Sequence, residues 1–237
     1  MAGHSKWSTI KHKKAKEDAK RGKAFTKLIK EITVAARQGG GDPAGNIRLR
    51  TLIDKAKDIN MPQENTIRAI KKGTGELPGV SYEELVYEGY GPHGIAVIVE
   101  VLTDNKRRTV AEMRHLFSAK GGNLGESGSV GWMFEKSGVV RISGDTNEDK
   151  LLEDLLEYDI QNIQTENGNF TVICDPKSTA AIKKHSSESG LTVKSAGVEL
   201  VAKNPTSLED KEAEKAYEFL SALDDHDDVQ NVYTNLA

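Results

Sequence analysis

The chain has 237 residues, of which 37% are hydrophobic, 29% charged and only 5% aromatic. That length predicts two or three domains with small aliphatic cores, and no apolar run approaches the roughly 18–20 residues that cross a bilayer. Cys174 is the only cysteine, so no intrachain disulfide forms and the cytoplasm is the expected compartment. The net charge of −3 conceals a division. Residues 1–72 carry 18 Lys and Arg against 7 Asp and Glu, a net of +11, and the remainder carries 15 against 29, a net of −14. Asymmetry of this size points the basic part at phosphates.

The opening stretch GHSKWSTIKHKK, residues 3–14, places Lys6, Lys11, His12, Lys13 and Lys14 around Trp7. No apolar run of signal-peptide length follows, and Lys-rich composition with Glu17 and Asp18 nearby does not suit an organellar presequence. Two readings remain, a solubilising tail or an arm that touches a polyanion. Trp7 has two readings as well: a ring that stacks on an unpaired base, or a ring folded back on the protein.

Residues 16–37 predict a helix. Phe25, Leu28, Ile29, Ile32 and Ala36 recur on one face, and Lys16, Lys20, Lys23, Lys27 and Lys30 form a stripe opposite it. Gly39-Gly40-Gly41 ends that helix, and Pro43 is expected to open a second one, with Leu49, Leu52, Ile53 and Ala56 inward and Arg48, Arg50, Lys55 and Lys57 outward. After INMPQEN a short third helix turns Ile67 and Ile70 inward and stops at Gly73 and Gly75. The predicted unit is a three-helix bundle whose lysine stripe and arm hold phosphates. Five or six such contacts on duplex DNA would give a log–log salt slope of about −5. Lysines on phosphates position a protein without reading bases.

From residue 81 the pattern is strand-like. YEELVYEGY and GIAVIVEVL flank the turn GPHG, NKRRTVAEMRHLFSAKGG follows as a helix capped by Asn105, and the glycine-rich GGNLGESGSVG leads to a strand WMFEK. Residues 139–201 parse as β-α-β-β-α-β, the split ferredoxin-like plan, with an Asn-Gly hairpin turn at 167–168. A closing helix near 207–223 and the strand VQNVYTNL are expected to complete the unit before it. The expected organisation is therefore α+β and multidomain: a basic helical domain at 1–78, a discontinuous α+β domain at 79–136 with 205–237, and an inserted ferredoxin-like domain at 137–204.

Chemistry-bearing patterns are sparse. Cys174 sits in an apolar strand, and the histidines lack metal-binding spacing. LDDHDD at 223–228 reads as a solvated loop, and the glycine-rich loop precedes a strand, the reverse of a dinucleotide fingerprint. Lys106, Arg107 and Arg108 open a helix, where free amides already favour anions, and form a possible second phosphate contact. No nucleophile, base and orienting partner fall into a pattern. The expectations are no catalytic residue, no metal, no cofactor, no small-molecule substrate and no membrane.

Across its whole length the chain resembles the YebC/PmpR family, whose relatives include the mitochondrial translational activator of cytochrome oxidase. The resemblance rests on AGHSKWSTIKHKK, GGGDPAGNIRLR, NMPQENTIRAIKKG, YEGYGPHGIAVIVEVLTDN, NKRRT and GSVGWMFEKSG. It implies a helical amino-terminal domain, two α+β domains with one inserted in the other, and no catalytic site. It also implies a regulator of gene expression, either a DNA-binding regulator of transcription or a translation factor on ribosomal RNA, with protein partners available to the acidic α+β domains. KRRT at 106–109 is more basic than in many relatives.

Overall fold

A computed structural model describes residues 18–237, with side chains from residue 22 onward. The first helix, α1 (Asp18–Gly39), buries Leu28, Ile32, Ala35 and Ala36, the i, i+4, i+7 set of one helical face. It ends where Gly40 turns left-handed at φ 84°. The second helix, α2 (Ile47–Asp58), begins four residues later than Pro43 suggested. Asn46 decides that boundary. Its Oδ1 accepts from the Leu49 amide at 3.0 Å, and its Nδ2 donates to the carbonyls of Ala35 at 2.8 Å and Gly40 at 2.9 Å. One buried side chain thus starts α2 and ties it to the end of α1. The third helix, α3 (Gln63–Thr74), crosses α1 closely at Gly73, where a Cβ would press on the Thr33 carbonyl and the Ala36 methyl. Leu49, Leu52, Ala56, Met61 and Ala69 close the bundle core.

The first sheet orders four strands as β3 (Asn123–Leu124), β1 (Glu83–Tyr90), β2 (Ala96–Thr103) and β8 (Val229–Thr234). Strands β1 (Glu83–Tyr90) and β2 (Ala96–Thr103) form an antiparallel hairpin, with Glu83 opposite Thr103 and Tyr90 opposite Ala96. Helix α4 (Lys106–Ala119) returns the chain to β3 (Asn123–Leu124), two residues from the glycine-rich loop. The closing helix and strand pack back onto this sheet more than a hundred residues later. Phe117 of α4 meets Phe219 edge-on, with centroids 5.1 Å apart, over the buried valines of β2.

The second sheet has the order β5-β6-β4-β7. Its strands are β4 (Phe134–Ser143), β5 (Ile160–Glu166), β6 (Asn169–Cys174) and β7 (Thr192–Ala202), and its helices are α5 (Glu148–Asp154) and α6 (Thr179–Glu188). This is the β-α-β-β-α-β order with outer strands exchanged across the sheet, as the ferredoxin-like plan requires. Asn167 and Gly168 make the expected turn, both at positive φ. Cys174 is fully buried in its core. One strand differs from expectation. WMFEK is not a strand of the first sheet: Gly131–Met133 is a short 3-10 turn, and β4 runs without a break from Phe134 through the second sheet. The break expected at Gly138 does not occur, because that glycine lets Cys174 and Thr179 pack against the strand where a Cβ would clash. The last elements are α7 (Asp210–Asp224) and β8 (Val229–Thr234), joined by residues 225–228.

Candidate nucleic-acid interface

About two helical turns of α1 bring Lys23, Lys27 and Lys30 into one row, as the periodicity required. The row does not face open solvent. It lies against the α7–β8 connection, the LDDHDD stretch. Lys23 Nζ donates to the Asp225 carbonyl at 2.8 Å and stands 3.9 Å from its carboxylate. Lys27 Nζ donates to the Asp224 carbonyl at 2.9 Å and to its Oδ1 at 3.3 Å. Lys30 Nζ donates to the Asp227 carbonyl and to Asp228 Oδ1, both at 2.9 Å. Two expectations are corrected together: Lys27 and Lys30 of the described stripe are not on an exposed face, and the acidic stretch, though exposed at Asp225 and Asp227, is bonded to the stripe and not left to solvent. Each supplies the partner that the other required.

Asp228 is the centre of the contact and is only 4% exposed. Its Oδ1 takes Lys30, and its Oδ2 accepts from Arg108 at 2.9 Å and from the Thr109 hydroxyl at 2.8 Å. Burial alone would raise this carboxyl's pKa. The bonds from Lys30, Arg108 and Thr109 outweigh burial and hold the group far below the usual carboxylate range. Arg108, expected to face a phosphate, stays exposed but is paired with both Asp228 and Asp104. Its neighbours Lys106 and Arg107 stay exposed beside the Asn105 cap, whose Oδ1 accepts from the Arg108 amide at 3.1 Å. Above the row, the Tyr82 ring lies 5.6 Å from the Lys30 ammonium. Lys23, Lys27, Lys30, Tyr82, Arg108 and Asp228 line a polar cleft of about 900 Å³ between bundle and first sheet.

His226 completes the turn. Its Nδ1 accepts from the Asp228 amide at 3.1 Å, which leaves Nε2 to donate to Glu112 Oε2 at 3.0 Å. Glu112, His226 and Asp228 offer ligand atoms within 4.8 Å of one another. Both Asp228 oxygens are already taken by cationic side chains, so a divalent ion would have to enter against Lys30 and Arg108. The cluster is chemically an ion-pair network.

The remaining candidates divide by partner. Arg48 bonds Gln38 at 2.8 Å and also pairs with Glu84, joining α2 to β1 rather than projecting outward. Arg50 is exposed, and its side chain makes no ion pair or hydrogen bond among the described contacts; the side chains of Arg68 and Lys71 on α3 share that state. The outward position of those last two is legible in the sequence from their spacing to Thr66 and Ala69, which are buried. Lys6, Trp7, Lys11, His12, Lys13, Lys14 and Lys16 lie outside the described residues. Lys20 lies on α1 with its side chain outside them.

A basic helical bundle carried on two antiparallel α+β units, one threaded through the other, defines the class. The chain belongs to the TACO1/YebC family: residues 5–76 match the family's N-terminal domain and residues 82–236 its second and third domains. It is 55% identical over 236 residues to a probable transcriptional regulatory protein of Desulfatibacillum aliphaticivorans, covering 99% of this chain and 96% of that one. A protein of the same description from Geobacter sulfurreducens is 52% identical over 235 residues, covering 99% and 95%. Among solved structures, a conserved hypothetical protein of Aquifex aeolicus superposes with a TM-score of 0.87 at 43% identity, covering 98% of this chain and 97% of that one. No helix among the described residues is long and apolar enough to cross a membrane.

Proposed function

We propose that this protein is a non-enzymatic DNA-binding regulator of transcription that works in the cytoplasm. The observation that carries the reading is the name shared by its full-length relatives, probable transcriptional regulatory protein, at 52–55% identity. The charge division supports it physically, since +11 and −14 on two parts of one chain steer a polyanion to the bundle and away from the sheets. In this reading the arm residues Lys6, Lys11, His12, Lys13 and Lys14, the helix residues Lys16 and Lys20, and the exposed Arg50 hold phosphates. Trp7 stacks on a base or packs on the bundle. Lys106 and Arg107 form a second contact, without Arg108. The acidic α+β units remain available to protein partners.

The test is binding of the full chain to promoter duplex and to shuffled duplex over a range of salt concentrations. The expected result is tighter binding to promoter sequence, with affinity falling as salt rises. Equal affinity for both duplexes at every salt concentration, or a stronger preference for RNA, overturns the reading.

A further inference from the structure

The contact between the lysine row and residues 224–228 is graded. Side-chain exposure is 48% and 52% for Lys23 and Asp225, 17% and 19% for Lys27 and Asp224, and 11% and 6% for Lys30 and Asp228. An exposed pair is screened and weak, whereas a buried pair with every lone pair bonded is costly to break. The row therefore has an outer end that exchanges partners easily and an inner end that does not. The acceptors along it are carboxylate and carbonyl oxygens, and the two outer lysines are one helical turn apart, a backbone rise of about 6 Å. A chain of anionic oxygens at that position presents α1 with the same chemistry as a sugar-phosphate backbone.

We propose that the turn at 224–228 is an internal phosphate mimic that occupies part of the nucleic-acid surface and must be displaced for full binding. Lys23 and Lys27 exchange Asp225 and Asp224 for phosphates. Lys30, Asp228, Arg108 and Thr109 stay closed and anchor the peeled segment, so β8 remains in its sheet. The chain then carries its own competitor. Weak or non-specific polyanions fail to open the outer pairs. This rests on the nucleic-acid reading above and adds to it a threshold for binding.

The test compares the full-length protein with two variants of equal charge change, Asp224→Asn/Asp225→Asn in the turn and Glu214→Gln/Glu218→Gln on the exposed side of α7. Duplex DNA is the ligand for both. The turn variant is expected to bind about tenfold tighter than the unmodified chain, within the range of ordinary coupling energies, and the α7 variant no more than about threefold. In a Lys23→Ala/Lys27→Ala background the turn substitutions should bring no gain, the signature of a direct pairwise interaction. On adding DNA, amide exchange should quicken at Asp225 and His226, which bond Ser221 and Leu223, and stay slow through β8. If DNA binds but both variants gain equally, or the gain survives without Lys23 and Lys27, the mimic is wrong while the nucleic-acid reading stands. If no form binds DNA, the turn variant included, the nucleic-acid reading itself has failed and the mimic falls with it.

Discussion

Lys30 and Asp228 stand 198 residues apart in the chain and 2.9 Å apart in the fold, and both are nearly out of water. Desolvating two charges costs several kcal/mol each, so such a pair persists only when the remaining lone pairs are satisfied. Asp228 meets that condition through Arg108 and Thr109. The pair holds the bundle against the first sheet.

Removing Asp228 leaves Lys30 charged and buried without its carboxylate. Asp228→Ala is expected to destabilise the protein by about 3–5 kcal/mol in urea unfolding. Asp225→Ala, at the half-exposed end of the same row, should cost less than about 1 kcal/mol. Similar losses at the two positions would contradict the gradient.

Acid should act through the same carboxyl. Its folded pKa is depressed from an ordinary value of 3.8, so below that value the unfolded chain binds the proton that the folded one refuses. Stability from Asp228 is therefore complete above about pH 5 and is lost as pH falls through the folded pKa. Unfolding measured from pH 6 downward should show a steep acid loss in the unmodified protein and a flatter one in Asp228→Asn.

Gly73 is the close crossing of α1 and α3. A methyl group there meets the Thr33 carbonyl and the Ala36 side chain, both within a packed core, so Gly73→Ala should cost about 1–3 kcal/mol by forcing the helices apart. At Gly75 the space is open and the strain comes only from a φ of 84°, so Gly75→Ala should cost about 1 kcal/mol. Thermal melts of the two variants separate overpacking from backbone strain, and the reverse order would show that the crossing can relax.

Exposed cations should be countable by salt. Each phosphate contact removed lowers the log–log slope by about 0.9 on duplex DNA. Arg50→Ala and the pair Lys106→Ala/Arg107→Ala are expected to lower it by about one and two units, with helicity by circular dichroism unchanged. Arg48→Ala should leave the slope unaltered, because Arg48 is spent on Gln38 and Glu84.

Local chemistry determined much of this protein. A 3.6-residue apolar period made the bundle helices legible, the Asn167-Gly168 turn set a hairpin, and alternating strands and helices after residue 139 disclosed the second sheet. Boundaries were less readable where a long-range bond chose them. Pro43 suited a helix start, but Asn46 took the role because it reaches back to Ala35 and Gly40. WMFEK looked like the end of one unit, yet β4 continues because Gly138 admits a neighbouring strand and helix.

What the sequence by itself determined was which residues are charged and on which side of a helix they fall. Only the tertiary structure decided which of those charges are spent. A periodicity is a property of adjacent turns, whereas the neutralisation of Lys23, Lys27 and Lys30 depends on Asp225, Asp224 and Asp228, about two hundred residues away. A helical wheel cannot distinguish a lysine awaiting phosphate from one already bonded to carboxylate, because the partner enters only when the last helix and strand complete the first sheet.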